Sequence, residues 1–212
     1  MINMIDVGYT GEINPLWAPH IDKIDHLLSF NPLIKSFNTE NHCHLQLAIT
    51  NEHHSRPKDF NVYRKEACSS LFKVDRKILD VRPGDPKDMD LVKTMKVGCS
   101  RLDELLDTLS IKFNYLKIDT QGSDLAVIES MGEYLKDLWA IEAEVFFKRF
   151  YEGAPMGDEL AGYLGRTKYF KLVRNLRKHN NLFGDFLFVN INAPKDFLDF
   201  IERLYKCKVS LV

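Results

Sequence analysis

Short apolar runs bounded by acids, glycines and prolines set the pattern of this chain. Ile2, Met4, Ile5 and Val7 form the first of them, and it ends at Gly8. A nearly continuous run of this length suits a parallel strand covered on both faces. Ile24, Leu27, Leu28 and Phe30 predict a second strand ending at Asn31-Pro32, and residues 45–49 a third. Residues 15–20, with Pro15 and Trp17, suggest a short, irregular helix between the first two strands. Pro32 suits the first turn of a helix over 33–41, where its missing N–H would have had no partner. Together these give β-α-β-α-β, the first half of a doubly wound sheet.

The pattern then loosens. Residues 51–57 read as a polar turn and 60–63 as a short strand. Residues 80–90, with Pro83, Gly84 and Pro86, read as a loop. The stretch of about 50–92 is thus an excursion from the core, which resumes with a strand over 93–97. Leu102, Leu105, Leu106 and Leu109 recur at helical spacing over 100–109. Residues 115–119 form the fourth principal strand, ending on Asp119. Leu125, Val127, Ile128 and Met131 supply the apolar face of the next helix. Residues 139–146 form the fifth strand, in which Glu142 and Glu144 point the same way because side chains alternate across a sheet. A helix over 157–164, strands over 169–173 and 183–191, and a closing helix over 194–206 complete the chain.

Charge narrows the function classes. Lys plus Arg number 29 against 30 Asp plus Glu, a net charge of -1, so neither nucleic acid nor an anionic membrane is an expected partner. No run approaches the 18 or so apolar residues of a membrane span, and the N-terminus lacks signal-peptide order. A cytoplasmic protein is therefore expected. The length of 212 residues suits one domain. Cys43, Cys68, Cys99 and Cys207 contain no C-x-x-C pair. His42 and His44 share a strand face, with His53 and His54 nearby, but nothing completes a ligand set at familiar spacing, so no metal is expected.

Candidate chemistry collects at strand ends. Asp6-Val7-Gly8-Tyr9-Thr10-Gly11-Glu12 closes the first strand. Its glycines permit positive φ and close approach by a ligand, at the place where open α/β sheets bind small molecules. The turn lacks the G-x-G-x-x-G of a dinucleotide site, which counts against a nucleotide-dependent oxidoreductase. It resembles motif I of S-adenosylmethionine-dependent methyltransferases. Further along, Ser100-Arg101-Leu102-Asp103-Glu104-Leu105-Leu106, Tyr115-Leu116-Lys117-Ile118-Asp119-Thr120-Gln121-Gly122-Ser123-Asp124 and Ile141-Glu142-Ala143-Glu144-Val145 resemble the signature of the FkbM-type methyltransferase family. The likeness extends to Ile5-Asp6-Val7-Gly8, Phe30-Asn31-Pro32, Ser69-Ser70-Leu71 and Gly184-Asp185-Phe186-Leu187-Phe188.

That resemblance implies an α/β, Rossmann-like seven-stranded methyltransferase fold: a mostly parallel central sheet, helices on both faces and an antiparallel last strand. It implies S-adenosylmethionine as cofactor and O-methylation of a hydroxyl on a sugar, glycan or natural product, so the partner is a small-molecule or glycan acceptor. Asp6 and Gly8 would meet the methionine part of the cofactor, with Tyr9, Gly11 and Glu12 completing the turn. Asn31 would meet the ribose, and Ala48 and Ile49 would wall the adenine. The family carries an acid where this chain has Asn31, so Asn31→Asp is expected to tighten cofactor binding. A non-catalytic, cofactor-binding or assembly protein of the same fold is the alternative. Asp119 has three readings: general base, ligand of the cofactor ammonium, or cap of the following helix. Glu142 and Glu144 are expected to pair with lysine or arginine rather than with a cation shared with Asp119. Ser69-Ser70 would lie near the cofactor, and the aromatic stretch 146–151 either roofs the acceptor or packs.

Overall fold

The computed structural model describes residues 1–54, 56–81, 84–178 and 182–210. Pro83, counted above with the 80–90 loop, lies outside the described residues.

Its strands are β1 (Ile2–Val7), β2 (Ile24–Phe30), β3 (Phe37–Asn38), β4 (His42–Leu45), β5 (Ala48–Ile49), β6 (Lys58–Tyr63), β7 (Leu91–Val97), β8 (Cys99–Ser100), β9 (Tyr115–Ile118), β10 (Ala140–Phe146), β11 (Phe170–Lys178) and β12 (Phe183–Asn190). The helices are α1 (Leu102–Leu106), α2 (Asp124–Glu129), α3 (Gly157–Thr167) and α4 (Lys195–Tyr205). The fold is mixed α/β, built on one large sheet in the order β11-β12-β10-β9-β1-β2-β4-β3. The five strands from β10 to β4 run parallel, whereas β12 is antiparallel to both β10 and β11. The sheet has eight strands because the two-residue β3 adds an edge beside β4.

Each face of the sheet buries its own core. Ile5, Val7, Leu116, Ile118, Ile141 and Val145 pack with Leu102, Val127, Ile128 and Leu160 from α1, α2 and α3. The alternate residues Met4, Tyr115, Ala140 and Leu187 pack with Trp17 and with Phe197, Ile201 and Leu204 of α4. Those α4 residues recur at helical spacing and so form one apolar stripe. β1 is buried on both faces, with only Asn3 half-buried, as its nearly continuous apolar run predicts.

The first half departs from the expected β-α-β-α-β. The β1–β2 crossover carries only a 3-10 helix, Ala18–Lys23, with a proline in its first turn. No helix forms over 33–41. Leu33 donates its backbone N–H to Asn31 Oδ1 at 2.8 Å, which makes Pro32 part of a tight turn instead of a helix start. Ser36 and Thr39 then take up backbone groups with their hydroxyls, Thr39 Oγ1 bonding within the β3–β4 hairpin. The expected third strand over 45–49 splits. Gln46 turns back to Ser36 Oγ and to the Pro32 carbonyl, so β4 stays in the large sheet while β5 leaves it to pair with β8. The expected core strand over 93–97 belongs to the excursion instead, because β7 pairs antiparallel with β6. The helix expected over 100–109 shortens to α1.

Candidate active site

The carboxyl ends of β1, β2 and β9 open into a cleft of about 640 Å³ including its mouth. Phe30, Leu33, Ala48, Ile49, Phe60 and Leu71 provide apolar wall, while Gly8, Asn31 and Asp119 stand at the strand ends. The departure of β5 from the large sheet is what carries Ala48 and Ile49 to the wall. Leu71 and Ser69 come from the excursion and reach the cleft, whereas Ser70 is not among its walls. Thr120 and Ser123 also line the cleft, and the buried hydroxyls Thr120 Oγ1 and Ser123 Oγ have no hydrogen-bond partner. Buried hydroxyls are normally satisfied, and a pair left open beside one cavity fits a polar ligand.

The sequence candidates divide between cleft and interior. Gly8, Asn31, Ala48, Ile49 and Asp119 line the cleft; Asp6, Tyr9, Gly11 and Glu12 are not among its walls. Asp6 is buried under the sheet, 3.1 Å from Lys117 Nζ. Burial opposes both charges. At Lys117 the carboxylates of Asp6, Asp119 and Glu142 overcome it and hold the ammonium charged, whereas at Asp6 burial outweighs Lys117 and raises the carboxyl above its ordinary range. Tyr9 is buried against His42 and His44, with its hydroxyl donating to the Gly11 carbonyl at 2.7 Å. Burial raises its pKa. Gly11 and Glu12 are exposed.

Gly8 has φ +98, and a Cβ built there would sit 1.8 Å from the Asp119 carbonyl oxygen. The turn therefore needs glycine because β9 ends against it, whatever the cleft holds. Asn31 is equally committed: its Nδ2 donates to the Tyr9 carbonyl at 2.7 Å while Oδ1 accepts from Leu33. It fastens the end of β2 to the glycine turn.

At Asp119 the surroundings differ. Gln121 Nε2 donates to Asp119 Oδ1 at 2.7 Å and to Glu144 Oε2 at 2.8 Å. The Tyr151 hydroxyl lies 2.9 Å from Gln121 Oε1, and Ser70 Oγ donates to the Gln121 carbonyl at 2.7 Å. Gln121 itself holds φ +57, uncommon for a residue with a Cβ. Glu144 therefore meets a glutamine and Glu142 two tyrosines, Tyr115 and Tyr205, in place of the expected lysine or arginine. Burial first, and Asp119 next, push Glu144 well above the carboxylate range. The same causes, in the same order, raise Asp124 to about 7. Asp124, the first residue of α2, accepts the backbone N–H of Thr120 and of Gly122 and ties down the turn ahead of the helix, whose N-cap position is Ser123 and not Asp119. Gln121 and Tyr151 carried no sequence signal of this role; the positive φ of Gln121 next to Gly122 is visible only in the backbone. His42 Nε2 and His44 Nδ1 both lie within 2.8 Å of Ser29 Oγ, so these rings serve a hydrogen-bonded cluster under the sheet.

A mostly parallel α/β sheet with a cleft at the carboxyl ends of its strands opens where such sheets bind small molecules. The chain belongs to the FkbM methyltransferase family: the model of the methyltransferase FkbM domain matches residues 12–179. The match begins after β1 and the Gly8 turn and ends within the β11–β12 connection, so the likenesses at Ile5–Gly8 and Gly184–Phe188 lie outside it. No curated protein and no solved structure matches the chain. Among the described residues no helix is long and apolar enough to cross a membrane.

Proposed function

We propose that this chain is an S-adenosylmethionine-dependent methyltransferase that acts on a hydroxyl oxygen. The observation that carries the reading is the cleft at the ends of β1, β2 and β9, with two unpartnered buried hydroxyls in its wall. Ala48, Ile49, Phe30 and Leu71 would hold the adenine, Thr120 and Ser123 would supply polar contacts, and Gly8 would let the chain pass close. The cofactor supplies an activated methyl group. The protein's own task is alignment, which can provide roughly 7 to 11 kcal/mol of a transfer barrier. A hydroxyl acceptor must also lose a proton, and Asp119 is the carboxylate that stands on the cleft to take it.

Asn31 supports the non-catalytic alternative, since its amide is engaged by backbone on both sides where the family has an acid. Calorimetry with S-adenosylhomocysteine and with NAD, followed by Asp119→Asn, separates the readings. The expected result is binding of S-adenosylhomocysteine alone, unchanged affinity in the variant, and methylation reduced at least about 10²-fold. A loss of about 1.5 to 3 kcal/mol in affinity would instead make Asp119 the ligand of the ammonium. Binding of NAD alone would overturn the proposal.

A further inference from the structure

A second cleft, about 610 Å³ including its mouth, lies on the other side of Asp119 and Gln121. Ala67, Asp119 and Gln121 line both clefts, so the two adjoin there. The rest of its lining is mostly apolar: Cys68, Met89, Phe146, Phe150 and Phe183, with Lys65 as the cation among the lining residues. Glu144 completes the polar end. Two carboxylates thus face one cavity across a single amide nitrogen, and the amide is kept in that orientation by Tyr151 and Ser70 acting on Gln121.

We propose that this second cleft receives the methyl acceptor, an alcohol on an aromatic or apolar frame, with its hydroxyl at the Asp119–Gln121–Glu144 end. The inference rests on the methyltransferase reading above and adds the acceptor class to it. Phe146, Phe150, Phe183 and Met89 offer a sugar's ring hydroxyls no partner, so those would be left to Lys65 and the Asp119–Gln121–Glu144 end. As the acceptor oxygen bonds to the methyl carbon and the carbon–sulfur bond breaks, the hydroxyl proton passes to the ionised member of the carboxyl pair. Burial and the adjoining Asp119 carboxylate push Glu144 toward its protonated form, while Gln121 holds the two carboxyls side by side.

The groups facing Glu144 fit that state. Asp119 ends β9, Asp124 opens α2 and Asp185 lies opposite on β12, all acidic. Lys117 is engaged by Asp6, and Lys65 lies on the cleft's excursion side.

The test uses the whole protein, with and without S-adenosylhomocysteine, and three probes followed by NMR: benzyl alcohol, toluene and methyl glucoside. Benzyl alcohol should shift Cys68, Phe150 and Phe183 and leave Ala48 and Ile49 unmoved. It should bind at least about tenfold tighter than methyl glucoside and about threefold tighter than toluene, a factor set by one hydrogen bond to the polar end. Glu144→Gln, which keeps shape, should erase the preference over toluene. Carboxyl ¹³C titration should show Glu144 held well above the ordinary carboxylate range. A Glu144 that titrates as an ordinary carboxylate, or equal binding of the glucoside, would overturn the proposal. If S-adenosylhomocysteine binds and benzyl alcohol does not, the acceptor assignment alone fails. If benzyl alcohol binds and S-adenosylhomocysteine does not, the methyltransferase reading fails and takes the acceptor role with it.

Discussion

Asp6 and Asp119 each follow an apolar run at the carboxyl end of neighbouring parallel strands, and the fold gives them opposite surroundings. Asp6 faces away from the cleft into a buried ion pair with Lys117, the residue beside it in the β1–β9 register. Asp119 stands past the end of its strand, where two clefts adjoin, with a neutral amide and a second carboxyl for company. An acid at a strand end is therefore only a candidate for chemistry. A cationic neighbour one strand over makes Asp6 a structural residue, whereas Asp119 keeps its place on the cleft beside an amide and a second carboxyl.

The link between the two regions is Gly8, and the largest effect is expected there. Gly8→Val would drive a Cβ into the Asp119 carbonyl, so β1 and β9 cannot keep their register at the cleft. Stability should fall by more than about 4 kcal/mol, visible as loss of the cooperative urea transition. A variant that unfolds like the wild type would show that the glycine answers to the cleft rather than to β9.

The next effect sharpens the contrast itself. Lys117→Met leaves Asp6 buried without its cation and should cost about 3 to 5 kcal/mol at neutral pH. The double variant Asp6→Asn, Lys117→Met should recover most of that loss in the same urea melts. Equal stability of the two would mean the ion pair contributes nothing.

The smallest effect concerns Asn31. The expectation that Asn31→Asp tightens cofactor binding assumed a side chain free to turn to the ribose. In the structure Nδ2 donates to the Tyr9 carbonyl, and a carboxylate there would replace a hydrogen bond by two facing acceptors. Stability should fall by about 1 to 3 kcal/mol, and affinity for S-adenosylhomocysteine should not improve. Thermal melts and calorimetry on one sample check both; tighter binding would restore the original expectation.

Several elements were legible without the fold. β1, β2, β9 and β10 follow from short, largely apolar runs, because strands in the middle of a covered sheet bury both faces and admit few polar positions. α2 and α4 follow from apolar residues recurring at helical spacing. Asn31-Pro32 was misread as a helix entrance because the same residues also build a tight turn. The choice depended on Gln46 reaching back from ten to fourteen residues away.

The sequence by itself determined that an α/β sheet with a glycine turn and strand-end acids would form, since hydrophobic period and glycine placement are local properties. Only the tertiary structure decided what those residues do. Gly8 answers to the carbonyl of Asp119, Asp6 to Lys117, and Gln121 to Tyr151, Ser70 and Glu144. Each of these partners lies more than twenty residues away along the chain. Local pattern carries no information about them, because burial, charge pairing and hydrogen-bond satisfaction depend on which strands become neighbours.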